Sequence, residues 1–267
     1  MLIQNIKILV RRCKKGEETF GTLFARIVLL PNKLRLKPVK VFEEKWDYLI
    51  VLDACRFDCF EKINKIPGKL SCKVSAATHT SEWAQKNFKG KCDDVVYISA
   101  NPQVSPRKLS ERIDRENPFL HLENVWTWGW DDYLNTVHPQ QVNDAVMKML
   151  SKFPGRKMVI HYLQPHFPFI GQFDLQGKEM SMKVSTARWW KMQLDKGEFT
   201  IEELKRAYED NLVLVLEHVE KLIANLRGTI VITADHGESF GTMGVYGHPP
   251  LMLMKDLYHI PWLVIEK

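Results

Sequence analysis

Four stretches of the chain have a continuous apolar middle and end on polar residues: "WDYLIVLDA" (46–54), "DDVVYISANP" (93–102), "KMVIHYLQP" (157–165) and "GTIVITAD" (228–235). Unbroken apolar runs of this length predict strands covered on both faces. "IPWLVIE" (260–266) predicts a fifth strand, and its proline places it at the sheet edge. Helical spacing alternates with these runs. Between 200 and 226, Leu204, Ala207, Leu212, Val215, Val219, Leu222 and Leu226 recur at three- and four-residue steps. Thr200 with Glu203 forms a capping-box pattern at its start. Residues 138–153, with proline near the first turn, and 81–88 predict two further helices. The alternation predicts an α/β fold: a three-layer αβα sandwich around a mainly parallel sheet.

Length and composition fit that picture. The chain has 267 residues, 45% hydrophobic and 26% charged, enough for a large single core. The net charge of +6 is unevenly placed. Residues 1–45 carry eleven Lys/Arg against four Glu, a balance of +7 that leaves the remainder at −1. This divides the chain into a basic N-terminal arm, 1–45, and one catalytic-sized domain, 46–267. The arm suits contact with an anionic surface, or it packs on the domain as a solvated segment. Nothing predicts specific nucleic-acid recognition, and no apolar stretch reaches transmembrane length. The first fifteen residues place their charges after the apolar positions, the reverse of a secretory signal. The expected location is therefore cytoplasmic, peripheral to the inner face of the membrane where the arm engages it. Five irregularly spaced cysteines predict reduced thiols.

Ligands of parallel α/β sheets bind beyond the carboxyl ends of the strands, and polar residues gather at those ends here. Asp53 closes the first strand, Asn101 follows the second, His161 and His166 flank the end of the third, and Asp235 and His236 end the fourth. A carboxylate leaving an apolar strand is costly without an opposite charge. Two of them with an adjacent imidazole suit a divalent cation such as Zn²⁺ or Mn²⁺, with a position left for substrate. "ATHTSEW" (77–83) opens a helix with Thr78, Thr80 and Ser81. A hydroxyl there could act as a nucleophile beside a metal, or Thr80 or Ser81 could serve simply as the N-cap. His166 and His248 each stand in a proline-stiffened loop, where an imidazole could bind an anionic oxygen or protonate a leaving group. The tryptophans of "VWTWGWDDY" (125–133) suit core or pocket wall. Residues 171–199 lack periodicity and suit a lid or a surface insertion.

"VLDACRFD", "THTSEW", "HYLQPHFPF", "TADHGESFG" and "YGHP", in this order over residues 46 to 250, resemble the alkaline phosphatase superfamily. The nearest branch is the sulfatase-like hydrolases, with phosphonate monoester hydrolases and phosphoglycerol transferases as relatives. The resemblance implies metal ligation by Asp53, Asp235, His236 and Thr80, with Thr80 also the nucleophile. It implies that His166 and His248 contact the transferred group or the leaving oxygen. Asn101, Arg56 and His161 follow as substrate-side candidates, although Arg56 could instead pair with Asp58. The cofactor expected is one divalent metal ion (Zn, Mn, Mg or Ca), with a second left open.

Two departures narrow the chemistry. The Cys/Ser-x-Pro-x-Arg motif of sulfatases is absent from the Thr80 loop, which disfavours sulfate esters. The mid-chain Asp-x-x-x-His pair of two-zinc phosphatases has no counterpart between 160 and 200. The expectation is a metal-dependent hydrolase or transferase of phosphoesters, mono- or diester, acting on an anionic substrate that is glycan- or lipid-linked. The alternatives are a sulfate-ester hydrolase, or a non-catalytic member of the fold that binds anionic glycans or lipids.

Overall fold

The computed structural model describes residues 37–90, 92–173, 175 and 185–267. Residues 1–36 of the basic arm, and most of 174–184 within the expected lid, lie outside them. In chain order the elements are β1 (Tyr48–Asp53), α1 (Phe57–Ile63), β2 (Lys69–Val74), α2 (Thr80–Asn87), β3 (Cys92–Ser99), α3 (Pro106–Ile113), β4 (Phe119–Asn124), β5 (Trp130–Asp131), β6 (Thr136–Val137), α4 (Pro139–Lys152), β7 (Lys157–Pro165), α5 (Thr186–Asp195), α6 (Ile201–Ile223), β8 (Thr229–Ala234), β9 (Ser239–Phe240), β10 (Tyr246–Gly247), α7 (Lys255–Tyr258) and β11 (His259–Glu266).

Seven strands form the central sheet in the order β2-β11-β8-β1-β7-β3-β4. The run β8-β1-β7-β3-β4 is parallel throughout. Strand β11 runs antiparallel to both its neighbours. The four continuous apolar stretches are thus the four adjacent inner strands β8, β1, β7 and β3, as their two-sided burial requires. In β1, Leu49 to Leu52 are fully buried.

Side chains alternate across β7 and show the three layers. Tyr162 turns to one face, where its hydroxyl donates to Asn143 of α4. His161 turns to the other, with its ring 6.1 Å from that of Trp83 in α2. Helix α6 packs beside α4 over β7. Its N-terminus carries the full capping box: the Glu203 N–H donates to Thr200 Oγ1 and the Thr200 N–H to Glu203 Oε2.

Three expectations change. The fifth strand is not at the edge, because β2 pairs on its outer side, with Pro261 opposite Cys72. Pairing of β11 with β8 begins only at Trp262, so Pro261 lies outside that ladder. The aromatic stretch is only partly core: Val125 is buried, while Trp128, Trp130 and Tyr133 are exposed. Helix α5 occupies part of the stretch that lacked periodicity, and Trp189 and Trp190 anchor it in an aromatic cluster with Phe169, Tyr208 and Phe240. Val39 and Val41 belong to the core, so the described end of the arm packs on the domain. No helix among the described residues is long and apolar enough to cross a membrane.

Candidate active site

Strands β1 and β8 are parallel neighbours, with Leu52 opposite Ala234. The next residue on each is an acid, so Asp53 and Asp235 emerge side by side. Both are buried. Asp235 Oδ1 accepts from the N–H groups of Ala54 (3.2 Å) and His236 (2.9 Å). Asp53 Oδ2 accepts from the Asn101 amide, which extends from the end of β3. The remaining oxygens, Asp53 Oδ1 and Asp235 Oδ2, are buried without a hydrogen-bond partner. They lie 3.6 and 3.3 Å from His236 Nε2.

The tautomer of His236 follows from its other nitrogen. Nδ1 is 2.8 Å from the Gly237 carbonyl, which can only accept, so Nδ1 carries the proton and Nε2 presents a lone pair. Two carboxylate oxygens and an imidazole lone pair converge around the Thr80 hydroxyl, their ligand atoms all within 4.8 Å of one another. Two buried carboxylates that one hydroxyl proton cannot neutralise cost several kcal/mol, on the order of 3–5, if left uncompensated. A divalent cation would supply the missing charge, and two carboxylates with one imidazole suit Zn²⁺ or Mn²⁺. Burial, then the neighbouring Asp235 and Glu238, push the Asp53 carboxyl well above the usual carboxylate range. Burial pushes His236 down to about 4, with His248 adding to the effect, which keeps the imidazole in its ligating form.

Thr80 is the first residue of α2, and it is not the cap. His79 holds that position, its Nδ1 accepting from the Ser81 N–H at 3.1 Å. The N-cap reading of Thr80 or Ser81 is therefore corrected: the imidazole satisfies the helix end and leaves the threonine hydroxyl free of it. Thr80 Oγ1 instead lies 3.3 Å from His236 Nε2 and 3.4 Å from the Asn101 amide nitrogen. It is buried at the place where the orphan oxygens converge.

His166 and His248 stand on the other side of His236. Their rings are 5.0 Å apart, and that of His248 is 4.5 Å from His236. Glu238 is buried and accepts from His248 Nδ1 at 3.0 and 3.2 Å. His166 Nδ1 donates to the Phe167 carbonyl. Both rings thus have Nδ1 engaged and Nε2 available. His79 completes the group, 5.3 Å from His248 and pushed down to about 3 by burial and by its imidazole neighbours.

The other two candidates take different places. His161 is fully buried beneath Asp53, with Nδ1 2.8 Å from the Tyr97 hydroxyl and Nε2 3.9 Å from Asp53 Oδ2. Arg56 makes the pair with Asp58, through Nε (2.9 Å) and Nη2 (2.7 Å). Its Nη1 donates to the Glu238 carbonyl at 3.0 Å and faces Asp256 at 3.2 Å. Sequence reasoning missed His79 as a cap; it read Glu238, which follows the Asp235-His236-Gly237 run, as a supporting residue rather than a ligand, but did not find that it supports His248. The first sits inside a quoted motif but follows no capping rule; the second depends on a loop returning from residue 248.

This is the alkaline-phosphatase-like fold of the sulfatase type, and known structures carry it. The soluble domain of lipooligosaccharide phosphoethanolamine transferase A from Neisseria meningitidis superposes with a TM-score of 0.54 at 12% identity, over 81% of this chain and 75% of that one. The C-terminal periplasmic domain of phosphoethanolamine transferase EptC from Campylobacter jejuni gives 0.51 at 13% identity, over 83% and 79%. BT1596, a 2-O GAG sulfatase, gives 0.51 at 12% identity, over 84% and 65%. No protein-family model matches the chain, and no curated protein matches it. The expectation of a cytoplasmic chain is overturned by these neighbours, since the EptC structure is a periplasmic domain. Charge order in the first residues separates out one kind of cleaved leader and does not report on other routes across a membrane.

Proposed function

We propose that this chain is a metal-dependent phosphoester hydrolase or phosphotransferase that uses Thr80 as its nucleophile. The observation that carries the reading is the Thr80 hydroxyl itself. It is buried, unused by the helix it begins, and set 3.3 Å from His236 Nε2 beside two unpartnered carboxylate oxygens. Asp53, Asp235, His236 and Thr80 would hold one divalent ion, with a second left open. When bound, that ion lowers the pKa of the threonine hydroxyl and offsets charge on the phosphoryl oxygens.

The chain's own groups account for the rest. Asn101 holds the Asp53 carboxylate and touches Thr80 Oγ1, fixing the direction of attack. Thr80 Oγ1 forms a bond to phosphorus as the ester P–O bond breaks, and its proton leaves with the departing alcohol. His248, held by the Glu238 carboxylate that also favours its protonated form, presents Nε2–H to an oxygen that gains charge. His166, its Nδ1 donating to the Phe167 carbonyl, presents an Nε2 lone pair that can take the proton of the incoming water or acceptor hydroxyl. Water or an acceptor hydroxyl then cleaves the phosphothreonine. The lipooligosaccharide phosphoethanolamine transferase among the neighbours supports a glycan- or lipid-linked substrate, and the periplasmic EptC domain supports an extracytoplasmic setting.

A screen of Zn²⁺, Mn²⁺, Mg²⁺ and Ca²⁺ against phosphomonoesters, phosphodiesters and sulfate esters tests the reading. We expect metal-dependent turnover of a phosphoester, a phosphate adduct on Thr80 by mass spectrometry of quenched enzyme, and loss of both in Thr80→Ala. Undiminished turnover by Thr80→Ala would overturn it.

A further inference from the structure

The turn that follows Asp53 is strained, and it touches both acids. Ala54 has φ of 59°, the left-handed region that a residue with a Cβ enters at a cost. It is fully buried. Its N–H donates to Asp235 Oδ1 at 3.2 Å, while the Asp53 carbonyl on its other side accepts from the His166 N–H at 3.1 Å. The turn thus joins the end of β1 to both Asp235 and the His166 loop.

One side chain from a distant helix holds it. Tyr208 of α6 is fully buried, and its hydroxyl does two things at once. It donates to the Ala54 carbonyl at 2.8 Å and accepts from the Arg56 N–H at 2.9 Å. A single phenol oxygen therefore satisfies the backbone on both sides of the turn, where no strand remains to pair with it. Its ring makes edge-on contacts with Phe240 (5.0 Å) and Phe169 (6.2 Å), while the hydroxyl's place is held by its two backbone hydrogen bonds. Without that oxygen, a buried carbonyl and a partly buried N–H lose their partners together, and the strained Ala54 has less to hold it.

We infer that Tyr208 is a positioning residue for the cation site: its hydroxyl clamps the turn at Ala54, and so sets how Asp53 and Asp235 face each other. This rests on the reading that those two acids bind a divalent ion. Helix α6 then has a part in the chemistry that its amphipathic pattern alone does not reveal.

The test uses the full chain and Zn²⁺ alone, with affinity measured by chelator competition and folding by thermal melts of the metal-free protein. Saturable Zn²⁺ binding by the wild-type chain checks the underlying reading separately. Tyr208→Phe should weaken Zn²⁺ binding about ten-fold or more and lower kcat with little change in KM. Phe240→Leu removes a ring contact to Tyr208 and spares the hydroxyl, so it should lower the melting temperature without changing Zn²⁺ affinity. Ala54→Gly relieves the left-handed strain and should recover most of the lost affinity when combined with Tyr208→Phe; this double variant also serves if the single one folds poorly. Unchanged Zn²⁺ affinity in Tyr208→Phe, or no recovery in the double variant, would overturn the inference.

Discussion

Asp53 and Asp235 leave adjacent parallel strands, and each presents one buried oxygen without a hydrogen-bond partner to the same nitrogen, His236 Nε2, at 3.6 and 3.3 Å. The pair is unfavourable alone and favourable around a cation, so stability should respond to Asp53→Asn in opposite ways in the two states. Zn²⁺ at a hundred-fold excess over Kd should add about 2.7 kcal/mol to the wild-type chain. In Asp53→Asn that gain should vanish, while the metal-free melting temperature holds or rises because a like charge has gone. Thermal melts with and without a chelator read both effects.

The two residues at the start of α2 should separate stability from turnover. His79 accepts the Ser81 N–H and Thr80 does not. His79→Ala should therefore cost roughly 1 kcal/mol, the usual value of a lost N-cap. Thr80→Ala should cost less than about 1 kcal/mol and remove turnover. Urea denaturation alongside phosphoesterase assays would expose an inverted pattern.

Gly237 leaves no room for a side chain. A Cβ there would lie 2.0 Å from the Asp256 carbonyl oxygen, and the Gly237 N–H is already committed to the Leu257 carbonyl. Gly237→Ala must displace α7 or the residue that follows His236, at a cost of about 3 kcal/mol or more. Gly155→Ala makes the comparison. It meets nothing within 4 Å and carries only the penalty of its φ of +69°, about 1 kcal/mol. Equal losses in the two variants would contradict the packing argument.

The Arg56–Asp58 pair should give a small acid-labile contribution to stability. Burial alone would raise the Asp58 carboxyl, but the Arg56 hydrogen bond and charge outweigh it and hold the carboxyl below its usual range. A depressed folded-state pKa means stability that is present above the unfolded value, about 3.9, and lost as pH falls through the folded one. The Asp58 side chain is 63% exposed, so its worth stays below roughly 1 kcal/mol. Asp58→Asn should cost that much at pH 7 and nothing once the wild-type carboxyl is protonated. Melts from pH 7 to pH 2 measure the difference.

What the sequence revealed follows from how each residue acts. Strands β1, β3, β7 and β8 were legible because burial on both faces demands unbroken apolar runs. Edge strands β2 and β4 were not, since "KLSCKV" and "FLHLEN" leave many positions partly exposed and carry no such run. Asp53, Thr80, Asn101, Asp235 and His236 could be named because strand ends and a helix start mark them, and the structure brings all five together. His79 and Tyr208 escaped notice because each works through a partner distant in the chain or through backbone geometry. Periodicity places Tyr208 on a helix, but cannot show that its hydroxyl reaches a turn 154 positions away.

The hydrogen bond from Ala54 to Asp235 spans 181 positions, so the candidate metal ligands belong to opposite ends of the domain. Strands β1 and β8 can pair only after the intervening chain has been gathered in, which makes their closure a late and slow event in folding. A backbone cut in any loop between them would leave one carboxylate on each fragment. Cation uptake by a mixture of two such fragments would then report that the sheet had reassembled, making the ion a probe of chain complementation.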